Sequence, residues 1–233
     1  MKTGWQTSTL GEICQLESGK PLASADRKSD GRYPVYGADG EIDRTDKYYF
    51  GKPTVIVGRK GTVGELNLTE ERFWPLEDTY FVIFDEQQCD LQFLYHLLTS
   101  LDLHHYAEGA QPHIDLDEIH AQPVKVPPLP EQQRIAAILD AAFHAIELAH
   151  ANTTQNLQNA RDLRDSYLRG AKTTASGDLA ELAASPAEQQ RVVPAMDFLS
   201  AQTQRLESLY RRKLAALDEL KKSLLQQAFA GEL

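Results

Sequence analysis

The sequence predicts an α+β protein: a globular segment of mixed α and β character followed by a long antiparallel two-helix coiled coil. Three observations predict it. The chain changes character at Val126-Pro127-Pro128-Leu129-Pro130, short β-branched runs bounded by turn formers precede that point, and apolar residues at alternating steps of three and four follow it. Buried strands need apolar runs of roughly four to eight residues, whereas a coiled-coil seam needs a 3.5-residue period sustained over several heptads. At 233 residues the chain exceeds a usual domain of roughly 100 to 200, which favours one domain with an extension, or two small domains.

In chain order, Thr54-Val55-Ile56-Val57 and Thr79-Tyr80-Phe81-Val82-Ile83-Phe84 are strand-length and punctuated by Gly51-Lys52-Pro53 and Gly58-Arg59-Lys60-Gly61. The glycines Gly58, Gly61 and Gly64 predict a tight hairpin between a strand ending at Val57 and one starting near Val63. Asp90 can cap a helix in which Leu91, Leu94, Tyr95, Leu98 and Leu101 recur at helical spacing. Residues 1–130 therefore form the globular segment. The first long helix, 131–170, carries Ile135, Leu139, Ala142, Ile146, Ala149, Thr153, Asn156, Ala160, Leu163 and Tyr167 at heptad steps. Gly170 and Thr173-Thr174-Ala175-Ser176-Gly177 interrupt it, leaving 171–193 as a linker with room for a short helix. The second long helix, 194–233, repeats the rhythm with Met196, Leu199, Thr203, Leu206, Tyr210, Lys213, Leu217, Leu220, Leu224 and Gln227, and Pro194 sets either its start or a kink. The apolar seam is Ile135, Leu139, Ile146 and Leu163 with Leu199, Leu206, Leu217, Leu220 and Leu224, on rods of roughly 55 Å each. Thr153, Asn156 and Lys213 would meet at one level, where they either fix register or stay wet. Pro130-Glu131-Gln132-Gln133-Arg134-Ile135 is echoed 57 residues later by Ala187-Glu188-Gln189-Gln190-Arg191-Val192, with Asp140 matching Asp197, so the two helices begin as repeats.

A hydrophobic content of 42% with 25% charged residues excludes a wholly disordered, collagen-like or disulfide-stapled chain. No apolar run reaches the roughly 18 residues of a membrane span, and Met1-Lys2-Thr3-Gly4-Trp5 leads into polar residues, so a cytoplasmic protein is expected. Cys14 and Cys89 belong to no C-x-x-C pair and read as buried thiols. The net charge of -10 argues against nucleic acid, yet its distribution does not. Ser18 to Lys60 holds nine bases against six acids, while Glu65 to Glu118 holds one base, Arg72, against thirteen acids. If the two stretches occupy different faces, the first can steer a polyanion; if they mix, both are simply solvated.

Catalytic constellations are missing from the sequence. Gly58-Arg59-Lys60-Gly61-Thr62 lacks the spacing of a phosphate loop, and Pro127-Pro128-Leu129 lacks the polar and aromatic residues of a methyl-transfer segment. The seven histidines, His96, His104, His105, His113, His120, His144 and His150, show no metal-ligand spacing. No catalytic residue, metal site or resident cofactor is therefore expected.

The ordered set of motifs resembles the DNA-specificity subunit of type I restriction-modification systems. The resemblance is carried by Trp5 with Leu10-Gly11-Glu12-Ile13, by Tyr33 to Gly40, by Val55 to Gly64 and by Gly109-Ala110-Gln111-Pro112-His113-Ile114. It continues through Val126 to Ile135 with Ile138-Leu139-Asp140, and ends with Lys222 to Leu233. Such subunits usually carry two recognition domains separated by two long helices. Here one helix leads almost directly to the next, with no second Trp-to-Leu-Gly opening, so the resemblance implies a half-size subunit. It further implies a target-recognition domain over 1–130 and spacer helices beyond it. Double-stranded DNA, methyltransferase subunits and a restriction subunit would be the partners, and a homodimer formed through the helices would read a bipartite palindrome. S-adenosylmethionine, ATP and magnesium would belong to those partner subunits alone.

Base reading needs forked or amide donors on loops, and phosphate binding needs Lys, Arg, Ser or Thr. On that ground the candidate DNA-binding residues are Lys20, Arg32, Tyr36, Arg44, Arg59, Lys60 and Thr62, with Gln111 and His113 in second rank. A different reading stays open: a coiled-coil decoy or structural adaptor that binds modification subunits without productive DNA reading.

Overall fold

A computed structural model describes residues 4–108, 113–176 and 186–233, with side chains at 107–113, 167–197 and Leu199 left aside. The fold is α+β. The first residues form β1 (Gln6–Thr9), α1 (Leu10–Ile13) and β2 (Cys14–Ser18), followed by β3 (Tyr33–Gly37) and β4 (Gly40–Thr45). Next come β5 (Val55–Gly58), β6 (Leu66–Leu68), β7 (Trp74–Pro75) and β8 (Thr79–Phe84). Helix α2 (Leu91–Ser100), the short strands β9 (Ala107–Glu108) and β10 (His113–Ile114), α3 (Leu116–His120) and β11 (Pro123–Val126) complete the globular segment. The long helices are α4 (Leu129–Ser176) and α5 (Pro186–Ala230).

The first unit, which comprises Met1–Asp140 and Leu224–Leu233, is built on two larger sheets beside the two-stranded pairs β1-β11 and β9-β10. One is antiparallel in the order β2-β8-β5-β6; the other is β4-β3-β7, with β3 and β4 antiparallel and β3 and β7 parallel. Strand β5 is apolar on both faces because it lies inside its sheet and both faces are covered: Val55, Ile56 and Val57 are all fully buried. The strand after it starts at Leu66, not near Val63, because Val63 is itself buried in the connecting loop and Gly64 turns there with φ +85. A Cβ on Gly64 would lie 2.7 Å from the His104 nitrogen, and one on Gly58 would lie 2.1 Å from the Thr62 carbonyl, so both close approaches require glycine.

Helix α2 forms as its spacing predicts. Asp90 accepts a hydrogen bond from the Phe93 amide at 3.0 Å, and Phe93, Leu94, Leu97 and Leu98 are buried. Gln132, near the start of α4, is 1% exposed and satisfies three backbone groups at once. Its Oε1 accepts from the Asp90 amide at 2.8 Å, and its Nε2 donates to the Gln88 and Pro127 carbonyls, each at 2.9 Å. His96 Nε2 lies 2.7 Å from Asp140 Oδ1, a second tie between α2 and α4. Ile135, Ala136 and Leu139 bury beside them, and the end of α5 contributes Leu225, Ala228 and Phe229, whose ring meets Phe93 at 5.4 Å. Residues 224–233, placed by sequence in a spacer helix, thus close the core of the first unit. Both cysteines are buried, which pushes each thiol up to about 12.

The second unit, Ala141–Ser223, is the antiparallel pairing of α4 with α5 within one chain. Arg164 bonds Glu207 at 2.8 Å, and the Lys221 ammonium sits 4.9 Å from the Phe143 ring centre. Both helices reach into the stretch expected as a linker: α4 ends at Ser176, and α5 begins at Pro186 instead of near Pro194. The buried side of α4 is Phe143, Ile146, Thr153, Leu157 and Ala160, while that of α5 is Thr203 with half-buried Tyr210, Leu214 and Leu217. Among the expected seam residues, Ile135, Leu139 and Ile146 are buried and Leu217 and Leu224 half-buried. Leu163, Leu206 and Leu220 are corrected: they are 48%, 40% and 47% exposed. Steps of four and three fit two phases of one helix, and packing chose the phase with the larger apolar member, Phe143 over Ala142 and Leu157 over Asn156. At the third position Arg164 replaces Leu163 because it meets Glu207. Asn156 and Lys213 are exposed, and the Thr153 hydroxyl donates to the Ala149 carbonyl, so no shared polar layer forms. The side chain of Leu199 is outside the described residues.

Candidate nucleic-acid interface

Polyanion binding depends on cations whose charge is not already neutralised. In the first unit four of the nine bases of the base-rich stretch, Lys28, Arg44, Lys47 and Lys52, are neutralised. Lys28 pairs with Asp46, Lys47 with Asp26 at 2.8 Å, and Lys52 with Glu86 at 2.8 Å. The hydrogen bond between Lys28 and Asp46 raises the ammonium above its ordinary value and lowers the carboxyl below its own. Lys52–Glu86 and Arg44–Glu71 each join the base-rich stretch to the acid-rich one. The two stretches therefore interleave, because β3 neighbours β7 and β5 neighbours β8.

Arg44 is fully engaged in holding the fold. Its Nε donates to the Gly31 carbonyl at 2.8 Å, one terminal nitrogen bonds Glu41 at 2.9 Å, and the other reaches the Arg32 carbonyl and Glu71. Tyr36 is half-buried, its ring edge-on to Phe73, and burial followed by the charges of Glu41, Glu71 and Glu70 pushes its hydroxyl up. It stays a neutral donor and acceptor.

Among the described residues, Lys20, Arg32, Arg59, Lys60 and Arg72 have no carboxylate partner. Arg59, Lys60 and Thr62 lie together on the loop between β5 and β6. The amides of Arg59 and Lys60 both donate to the Asp78 carbonyl, at 2.8 and 3.1 Å, and the Thr62 hydroxyl bonds Asp39 on the β3–β4 turn. The loop is braced on two flanks, and at its tip Gly61 (φ +79) has no neighbour where a Cβ would stand. Arg59 lies 5.3 Å from the Tyr80 ring centre and donates to the Glu77 carbonyl at 3.3 Å, while Lys60 projects freely.

The other three of these cations lie near the parallel strands β3 and β7. The Arg32 guanidinium is 5.3 Å from the Tyr33 ring centre, Tyr33 meets Tyr48 edge-on at 5.2 Å, and Arg72 covers Tyr48 at 4.8 Å. Lys20 stands beside them, its carbonyl accepting from the Trp74 indole at 2.9 Å and its amide bonding the Pro75 carbonyl at 2.8 Å. Arg72 and Tyr48 are not among the candidate residues that the sequence singles out. The signal existed, since Arg72 is the lone base of the acid-rich stretch, but a local charge sum hides it. Gln111 lies outside the described residues, and His113 is placed by its backbone alone, in β10.

Among the described residues no group of three His, Cys, Asp or Glu side chains is arranged for a metal ion, and no helix is long and apolar enough to cross a membrane. In comparison with known proteins, the type I restriction modification DNA specificity domain matches residues 2–159. The chain is 27% identical, over 138 residues, to the type I restriction enzyme EcoprrI specificity subunit of Escherichia coli; the match covers 57% of this chain and 34% of that one. The S subunit of a type I restriction-modification system from M. genitalium is similar in fold, with a TM-score of 0.54, 24% identity, and coverage of 78% of this chain and 49% of that one. A solved chain of a type I R-M system gives a TM-score of 0.51 at 16% identity, covering 100% of this chain and 47% of that one. The matched region thus spans about a third of the curated relative and about half of each solved chain.

Proposed function

The chain belongs to the type I restriction modification DNA specificity domain family, and from that premise we propose that it is the sequence-reading subunit of a type I restriction-modification complex. The observation that carries this reading is the family match over 2–159, which falls on the segment presenting Lys20, Arg32, Arg59, Lys60 and Arg72 without acid partners among the described residues. Specificity subunits are not catalytic, and this chain's contribution is to bind and orient DNA for others. In this proposal the first unit reads one half-site, and the helices dock methyltransferase and restriction subunits. S-adenosylmethionine, ATP and magnesium act in those subunits.

A single reading segment suits half a target, so two copies would present two segments to an inverted, interrupted sequence. Exposed Leu148 on α4, and Phe198, Leu206, Leu209 and Leu220 on α5, support an apolar contact of that kind. The decoy reading draws on a different observation, that Lys28, Arg44, Lys47 and Lys52 are neutralised in place.

Co-expression with the methyltransferase subunits, followed by mapping of methylated bases across a host genome, tests the proposal. The expected result is a bipartite palindromic methylated motif that disappears when this chain is omitted. Methylation that is unchanged without the chain overturns the reading, and a motif blocked by added chain favours the decoy.

A further inference from the structure

We propose that Arg32 and Arg72, each held over a tyrosine ring, form a clamp on the phosphodiester backbone of duplex DNA that works independently of sequence. The inference rests on the DNA-reading function above and assigns a separate task to one part of the surface.

The arrangement is a ladder of guanidinium, ring, ring and guanidinium: Arg32, Tyr33, Tyr48 and Arg72. Strands β3 and β7 are parallel, with Val35 opposite Trp74, so both arginines sit at the starts of neighbouring strands. A guanidinium stacked on a ring has restricted rotamers, so less freedom is lost when its N–H edge binds an anion. Neither arginine has a carboxylate partner among the described residues, in contrast to Arg44 nearby, whose donors are occupied. Lys20 adds a third cation beside β7.

Position separates this cluster from the Arg59–Thr62 tip. The tip meets the β3–β4 turn at Asp39, while the ladder begins at Tyr33, the opposite end of β3. Strand β3, Tyr33–Gly37, spans four residue steps, about 13 Å at roughly 3.3 Å each, and Asp39 lies two residues beyond it. The strand that sets the two clusters apart is thus about as long as the ~12 Å DNA major groove is wide. With the tip entering a groove, a ladder set back along β3 would meet a bordering phosphate. Tyr33 is buried and anchors the ladder, while Arg32, Tyr48 and Arg72 are exposed, a placement that lets both guanidiniums reach an outer phosphate.

The test measures binding of the chain, assembled with its methyltransferase subunits, to two duplexes: one carrying the mapped motif and one of random sequence. Affinity is followed from about 50 to about 200 mM salt. The variants are Arg32→Gln with Arg72→Gln, and Arg32→Lys with Arg72→Lys. Removing two phosphate contacts lowers the slope of log affinity against log salt by about 1.8 in magnitude, and weakens both duplexes by the same factor, at least about tenfold at low salt. The lysine variant keeps most of the slope, which separates charge from a folding defect, and thermal melting checks both proteins. An unchanged slope in a folded glutamine variant overturns the clamp. So does a loss confined to the motif duplex, which would make the arginines base readers. Wild-type assembly that binds neither duplex overturns the DNA-reading function itself, and the clamp with it.

Discussion

Gln132 shows how one side chain can join a helix to a domain. Its amide satisfies the Asp90 amide and the Gln88 and Pro127 carbonyls, all from residues that form no regular ladder. Gln132→Ala leaves the buried Pro127 carbonyl and the part-buried Asp90 amide and Gln88 carbonyl without this partner, and a buried orphan costs about 1 to 3 kcal/mol, so a loss of roughly 2 to 4 kcal/mol is expected in urea unfolding, without a change in the denaturant slope. The motif around Gln132 was visible in the sequence; its partners were not, because backbone groups carry no sequence signature. The same holds for the arginines. Arg44 and Arg72 are equal as letters, yet Arg44 is consumed by two carboxylates and two carbonyls while Arg72 rests on a ring. Ranking them requires knowing which carboxylates approach, and Glu71 approaches Arg44 from 27 residues away.

At the scale of elements, periodicity and caps were legible and phase was not. Asp90 and a 3.6-residue period place α2, since both are local. The long helices were equally plain, but a seam of alternating steps admits adjacent phases, and only the facing helix selects one. The selected phase makes a direct comparison available. Leu157 is 8% exposed and Leu163 is 48% exposed. Leu157→Ala is expected to cost about 2 to 3 kcal/mol, and Leu163→Ala less than about 0.5 kcal/mol, in equilibrium unfolding monitored by helical circular dichroism. Equal losses would mean that the helices pair in the other phase. The β5–β6 connection departs from the tight hairpin that glycine spacing predicts for a related reason: Val63 is drawn into the core and lengthens the loop that carries Arg59 and Lys60.

At the scale of the whole molecule, the proposed pairing of two copies depends on apolar side chains that pairing within the chain leaves uncovered. Leu206, Leu209 and Leu220 recur along α5 at helical spacing, and Leu148 is 58% exposed on α4. A dimer in sedimentation equilibrium is expected for the intact chain. Replacing Leu148, Leu206 and Leu209 together by Gln should give a monomer with unchanged helical content, whereas persistence of the dimer would remove these residues from the interface. Class, segment order, α2 and the two helices followed from neighbours along the chain, because propensity, capping and hydrophobic period are local quantities. Charge partners, seam phase and the closing of the first unit by Leu224–Leu233 came from residues distant in sequence, such as Phe93 against Phe229. Burial and pairing are energies between groups that touch, so they acquire values once folding has fixed which groups those are.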